Sequence, residues 1–97
     1  MNLIEAKQKL EEIGWKCVAE PDDDHMISYF LFVMQEGCDT YEVEIDIDDD
    51  DYILHSHEVN GDRDYFGHEI PTPYGLSGKE LELFRVVAES YLKEVTE

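Results

Sequence analysis

The sequence predicts a single α+β domain, with a helix at each end of the chain and both helices on one face of a four-stranded antiparallel sheet. Three observations favour this class. Apolar residues recur at helical spacing near both ends, they alternate with polar residues in the middle, and turn-forming residues separate the segments. A length of 97 residues fits one domain with one small core. Residues 1–97 are therefore expected to fold as a unit.

The first helix is predicted over residues 2–13, because its apolar residues follow the helical period. They are Leu3, Ala6, Leu10 and Ile13. Asn2 can cap this helix, with Glu5 three residues later as in a capping box. Gly14 suits the left-handed position that follows a helix end.

Four strands are predicted in the middle of the chain from their apolar patterns. Their bounds are residues 15–20, 26–34, 40–47 and 52–59. The second is apolar on both sides, which indicates a central strand whose two faces are both at least partly covered. The predicted connections are residues 20–24, 36–39 and 48–51. Asn60-Gly61 is a strong hairpin signal, so a fifth strand around residues 64–68 is the alternative.

The third strand shows the cleanest alternation, which is typical of a strand with one buried face. One side carries Tyr41, Val43, Ile45 and Ile47. The other side carries Glu42, Glu44, Asp46 and Asp48. We expect the apolar side to lie under residues of the last helix, which are Leu81, Phe84 and Leu92.

The last helix follows an extended linker at residues 70–73. Ser77 and Glu80 have the spacing of a capping box. The predicted buried stripe runs almost to the end of the chain. It consists of Leu81, Phe84, Ala88, Tyr91, Leu92 and Val95.

The charge is strongly partitioned along the chain. Twenty-five acids against seven Lys and Arg give a formal net charge of −18. No Lys or Arg lies between Cys17 and Asp62, a stretch that holds fifteen acids. Such a surface repels nucleic acid and anionic membranes, so neither is an expected partner. Charge that is confined to one segment is typical of a surface that binds a basic partner.

Several other classes are disfavoured by the sequence. No apolar run is long enough to cross a membrane, and the N-terminal residues lack the features of a signal peptide. Two cysteines, Cys17 and Cys38, are too few for a disulfide scaffold, so a cytoplasmic location is expected.

Metal and catalytic motifs are also weak. Residues 46–51 start like a calcium loop, but Asp51 stands where that loop needs Gly, and His57 stands where it needs Glu. His55 and His57 share a strand face without the further ligands of a zinc site. No phosphate loop or nucleophile motif occurs. We expect no metal, no cofactor and no enzymatic activity; a metal-binding or cysteine enzyme is an alternative.

The acidic side of the third strand is the main candidate site. Its carboxylates stand about 6.6 Å apart along the strand, a regular line of negative charge like that of a phosphate backbone. We expect Glu42, Glu44 and Asp46 to be largely exposed. The predicted partner-binding residues are Glu42, Glu44, Asp46, Asp48, the clusters Asp49, Asp50, Asp51 and Asp22, Asp23, Asp24, and the aromatic anchors Tyr52, Tyr65, Phe66 and Tyr74.

In size, charge and acid clusters, the chain resembles the small acidic proteins that phages and mobile elements use against host defences. This class includes DNA-mimic anti-restriction proteins and anti-CRISPR proteins. The resemblance implies an inhibitor that blocks the basic DNA- or RNA-binding site of a nuclease, such as an RNA-guided nuclease, in the bacterial cytoplasm. An immunity protein or small regulator that binds a basic partner is the alternative, because its surface would have the same physics.

Overall fold

The computed structural model describes residues 1–37, 39–60, 76 and 78–96, of which residues 36, 57–60 and 96 are described by their backbone only. The elements in chain order are α1 (Leu3–Ile13), β1 (Lys16–Ala19), β2 (Tyr29–Glu36), β3 (Asp39–Asp48), β4 (Asp51–Asn60) and α2 (Gly78–Thr96), with a 3₁₀ turn at Asp23–His25. The strands form an antiparallel sheet in the order β1-β2-β3-β4. The predicted α+β fold with terminal helices is confirmed. The possible fifth strand, the linker and the Ser77 cap lie outside the described residues.

The ends of α1 are set by local hydrogen bonds. The Asn2 side chain accepts a hydrogen bond from the Glu5 backbone N–H at 2.9 Å, and the Glu5 carboxylate accepts one from the Asn2 backbone N–H at 3.2 Å. This pair forms the predicted capping box. Gly14 ends the helix with a φ of 126°, a conformation that side chains strongly disfavour. Both predicted ends of α1 are confirmed.

Strand β2 starts later than predicted. Met26 has a left-handed φ of 58° and is 91% exposed, so it is not part of the strand. Residues 22–27 form a tight turn that is closed by a bridge between Asp22 and Ile27, with the 3₁₀ turn inside it. Acidic turn residues therefore extend the β1–β2 connection at the expense of the strand. β2 lies between β1 and β3, as expected of a central strand.

The core lies between the two helices and one face of the sheet, here called the inner face. The sheet contributes Phe30, Phe32, Val43, Ile45 and Leu54. The helices contribute Ala6, Leu10, Leu83, Phe84, Val87 and Ala88. Burial of Val43 and Ile45 beneath the helices is confirmed, whereas Tyr41 and Ile47 on the same side are partly buried.

The predicted helix stripes are wrong at their C-terminal ends. Ile13 is 39% exposed and Val95 is 54% exposed, although both fit the helical period. Each lies in the last turn of its helix, and a residue that fits the period is buried only where the opposite layer reaches it. In α2 the buried stripe is also rotated towards Leu83 and Val87, which are not part of the predicted stripe.

Trp15 connects the start of the sheet to the start of α2. Its indole Nε1–H donates a hydrogen bond of 2.7 Å to the Glu80 carboxylate. Its ring packs edge-on against Phe84, with 5.3 Å between the ring centroids. Because Trp15 is almost completely buried, this contact satisfies a polar group that would otherwise be costly to bury.

Candidate functional site

The face of the sheet that points away from the core, the outer face, carries the acid row. We define the acid row as Glu42, Glu44, Asp46 and Asp48 of β3. These residues alternate with Val43 and Ile45, which are fully buried on the inner face. Because successive side chains of a strand point to opposite faces, the acid row lies on the outer face, as the alternation predicted.

The acid row is less exposed than predicted. Glu42, Glu44 and Asp46 are partly buried, and only Asp48 at the end of the row is exposed. The Asp46 side chain retains 40% of its accessible surface. The reason is that β3 is an interior strand, so each of the three acids has a neighbour on both sides.

On the β2 side these neighbours are apolar. In the strand register Tyr29 pairs with Asp46, Leu31 with Glu44 and Val33 with Glu42. All three β2 residues are partly buried. We call Tyr29, Leu31 and Val33 the apolar row. It is not among the predicted site residues, although the sequence signals it, because residues 26–34 are apolar on both sides of the strand.

On the β4 side the neighbours are mixed. Ile53 pairs with Asp46 and is 53% exposed, and His55 pairs with Glu44. The His55 Nε2 lies 3.3 Å from the Asp46 Oδ2, and the His55 side chain is 18% exposed. At this point the acid row is therefore in contact with an imidazole.

The two Asp clusters lie at the same end of the sheet, although more than twenty residues separate them in the sequence. The Ile47 backbone N–H donates to the Ser28 carbonyl at 2.8 Å, which continues the β2–β3 pairing beyond Tyr29 and Asp46. Extending this register by one more residue places Ile27 beside Asp48. Asp22 in turn bridges Ile27. With strands about 4.8 Å apart, Asp22 and Asp48 stand about 10 Å apart.

We call this group the acidic end. It consists of Asp22, Asp23 and Asp24 in the β1–β2 connection and Asp48, Asp49, Asp50 and Asp51 in the β3–β4 hairpin. All are exposed except Asp22, which is partly buried. Asp49 takes a left-handed φ of 55°, which Asp tolerates better than most residues.

Hydrogen bonds hold the first of these clusters in place. The Asp22 carboxylate accepts from the Asp24 backbone N–H at 3.0 Å and lies 2.6 Å from the His25 Nδ1. Nearby, at the end of β1, Lys7 forms an ion pair with Glu20. The turn therefore fixes the position of the Asp22 carboxylate.

The predicted aromatic anchors are not on this surface where the structure describes them. Tyr52 was expected to be exposed, but it pairs with Ile47 and packs partly buried on the inner face. Its hydroxyl donates to the Glu89 carboxylate at 3.0 Å. Burial, followed by this hydrogen bond, raises the pKa of Tyr52. Tyr65, Phe66 and Tyr74 lie outside the described residues.

The alternative of a metal-binding or cysteine enzyme concerns the two cysteines and the possible metal ligands. Burial raises the pKa of the half-buried Cys17 thiol, which keeps it protonated at neutral pH, and the thiol donates to the Ala19 carbonyl at 3.4 Å. Cys38 lies outside the described residues. Within residues 1–37, 39–60, 76 and 78–96, no group of three or more His, Cys, Asp or Glu is placed to hold a metal ion. In the same part of the chain no helix has the length and apolar character needed to cross a membrane.

No protein-family model, curated protein or solved structure matches this chain. Its function is therefore inferred from the charge and geometry of the acid row and the acidic end.

Proposed function

We propose that this protein is a non-enzymatic interaction protein that occupies the basic nucleic-acid-binding site of a partner protein, in the manner of a DNA mimic. The observation that carries the proposal is the continuity of the negative surface. The acid row runs along β3 and continues into the acidic end. Asp22, Asp23 and Asp24 of the β1–β2 connection lie at the same end of the sheet and extend this surface.

The spacing of the charges supports this proposal. From Glu42 to Asp48 the acid row spans about 20 Å, with carboxylates about 6.6 Å apart. A nucleic-acid strand also presents a dense, regular line of negative charge. A site that has evolved to bind phosphates places Lys and Arg along such a line, and those side chains also form charge-assisted hydrogen bonds with carboxylates.

The partner that fits this surface is a cytoplasmic nuclease of the anti-restriction or anti-CRISPR target class, for example an RNA-guided nuclease whose arginines read duplex DNA. Opposite charge would accelerate association, and added salt would slow it. Binding would exclude nucleic acid from the same site, so the protein would act as a stoichiometric inhibitor.

The test is capture from bacterial lysate at low and high salt, followed by competition of each captured nuclease with duplex DNA. A quadruple variant of the acid row (Glu42→Lys, Glu44→Lys, Asp46→Lys, Asp48→Lys) should lose competition with DNA. The matched control carries the same charge change on exposed helix positions, namely Glu11→Lys, Glu12→Lys, Glu82→Lys and Glu94→Lys. We expect the control to keep most of its inhibition.

Equal loss in both variants would mean that net charge matters and the row does not. If neither variant loses competition, the acid row is not the interface and the proposal is wrong. Circular dichroism of both variants establishes that the fold is retained.

A further inference from the structure

The acid row does not lie alone on the outer face, because the apolar row runs beside it in register. Glu42, Glu44 and Asp46 each have one apolar residue directly opposite on β2. Paired residues on neighbouring antiparallel strands have Cβ atoms about 5 Å apart. Any ligand that covers the carboxylates must therefore also cover Leu31 and Val33.

The far side of the acid row continues this pattern at one point. Asp46 has Tyr29 on one side and Ile53 on the other. Ile53 is 53% exposed, so the surface near Asp46 offers a substantial apolar contact. Apolar area that leaves water on binding contributes favourably and without dependence on salt.

Charge complementarity restricts what can bind there. A second copy of this chain would bring two molecules of net charge −18 together, and nucleic acid would meet the same repulsion. A purely polar cationic segment could form ion pairs with the carboxylates. It would, however, place polar groups against the apolar row. The ligand that complements both rows is a protein segment with Lys or Arg along one line and apolar side chains along the adjacent line.

Arginine suits this surface better than lysine. Its planar guanidinium binds a carboxylate in a bidentate manner, and its aliphatic stem can lie on apolar neighbours. On a helix, residues four apart rise by about 6 Å, close to the spacing of the acid row. The adjacent line of helix residues, three positions on, would then face the apolar row.

Building on the function proposed above, we infer that the outer face is a two-row docking surface for an amphipathic basic segment of the partner, with arginines on the acid row and apolar side chains on the apolar row. Affinity then has two parts. The acid row supplies a part that salt weakens, and the apolar row supplies a part that salt does not weaken.

The test uses two synthetic helical peptides of equal charge as probes. Both carry Arg at every fourth position; one carries Leu along the adjacent line and the other carries Gln there. Binding is measured by calorimetry in about 50 mM and about 500 mM NaCl, where electrostatic screening differs strongly. We expect the Arg/Leu peptide to bind about ten-fold more tightly than the Arg/Gln peptide at both salt concentrations, which corresponds to burial of about two CH₂ groups or more.

Variants of the protein test whether the apolar row causes this difference in affinity between the two peptides. The double variant Leu31→Thr/Val33→Thr keeps strand-favouring residues, and it should remove most of the preference for Leu while leaving Arg/Gln binding unchanged. If the double variant does not fold, Ile53→Thr at an exposed position tests independently whether apolar side chains of the outer face cause the preference for Leu. The control Ile4→Thr/Val95→Thr removes exposed apolar side chains from the helices and should change neither affinity.

The two proposals fail in different ways. If neutralising the acid row (Glu42→Gln, Glu44→Gln, Asp46→Asn, Asp48→Asn) weakens binding of both peptides but the protein does not prefer Leu over Gln, the two-row inference is wrong and the charge proposal stands. A preference for Leu that survives Leu31→Thr/Val33→Thr and Ile53→Thr also overturns the inference. If neither peptide depends on the acid row, the proposed function itself fails.

Discussion

The two faces of the sheet are built from the same strands but differ in what covers them. In β3, Val43 and Ile45 are fully buried beneath the helices, while Glu44 and Asp46, one residue away, are partly exposed on the outer face. The inner face is mainly apolar, although β4 also buries Ser56 there, whereas the outer face places an apolar row beside an acidic row. Because successive residues of each strand point to opposite faces, substitutions on the outer face can change its surface while leaving the core residues in place. If the outer face binds the proposed partner, stability and binding should therefore respond to different substitutions.

The largest effect is expected on the inner face. Phe84 is fully buried, with edge-on ring contacts to Trp15 and Phe32 at centroid distances of 5.3 and 5.1 Å. Phe84→Ala should lower the free energy of unfolding by about 3–5 kcal/mol, because it removes apolar burial and leaves a cavity. Urea denaturation followed by Trp15 fluorescence measures this loss.

The outer-face counterpart is Val33→Thr, which should cost less than about 1 kcal/mol, since the position is partly exposed and Thr favours strands. Similar losses for Phe84→Ala and Val33→Thr would contradict the division of the sheet into a stabilising and a binding face.

The next largest effect concerns the hydrogen bond between Trp15 and Glu80. Glu80→Ala should cost about 1–3 kcal/mol, because it removes the acceptor of a buried indole N–H. Glu82→Ala, at an exposed position two residues later, is the control and should cost less than about 0.5 kcal/mol. The difference in urea midpoint between the two variants measures the contribution, and equal midpoints would show that Trp15 does not need this acceptor.

The sequence predicted best where a local rule determines the structure. The Asn2–Glu5 capping box and the Gly14 helix end depend on hydrogen bonds between near neighbours, and the alternation in β3 fixes which residues face the core. These rules need no knowledge of the other layer. They were sufficient to predict two terminal helices, the four strands and the side of β3 that carries the acids.

The remaining features depend on residues that are distant in the sequence. Val95 fits the period of α2, but its burial depends on how far the sheet extends beneath the helix. The contact between Trp15 and Glu80 joins residues 65 positions apart. The partial burial of the acid row follows from its neighbours on β2 and β4, which could be identified only once the register was known.

A smaller effect is expected at alkaline pH, and it also concerns the inner face. Burial is the main cause that raises the pKa of both Cys17 and Tyr52 above their ordinary values of 9.0 and 10.0. The folded state therefore holds these protons more tightly than the unfolded state. Their contribution to stability is complete below about pH 9 and is lost as the pH rises through the folded-state values.

Urea denaturation between neutral and alkaline pH measures this loss. The double variant Cys17→Val/Tyr52→Phe should lose less stability over that range than the wild type. An equal loss in both proteins would show that other groups cause the alkaline destabilisation.

The smallest effect is expected on the outer face and has the opposite sign. Two carboxylates about 6.6 Å apart repel by about 0.6 kcal/mol in water, and the Debye length of about 10 Å at 0.1 M salt roughly halves this value. Amide substitutions keep an oxygen that can still accept hydrogen bonds, including at the contact of residue 46 with His55. Neutralising the whole acid row (Glu42→Gln, Glu44→Gln, Asp46→Asn, Asp48→Asn) should therefore raise the free energy of unfolding by up to about 1 kcal/mol at 0.1 M salt and by almost nothing at 1 M.

The control for this prediction removes the same number of charges from the helices, as Glu11→Gln, Glu12→Gln, Glu82→Gln and Glu94→Gln. Lysines and Arg85 share the helices with these acids, so neutralising them relieves less repulsion and should not stabilise the fold to the same degree. Urea denaturation at both salt concentrations distinguishes the two variants. If the acid-row variant instead lost more than about 2 kcal/mol, the carboxylates would contribute to holding the sheet together. The outer face would then be structural, since a row retained for a partner should cost the free protein a little stability.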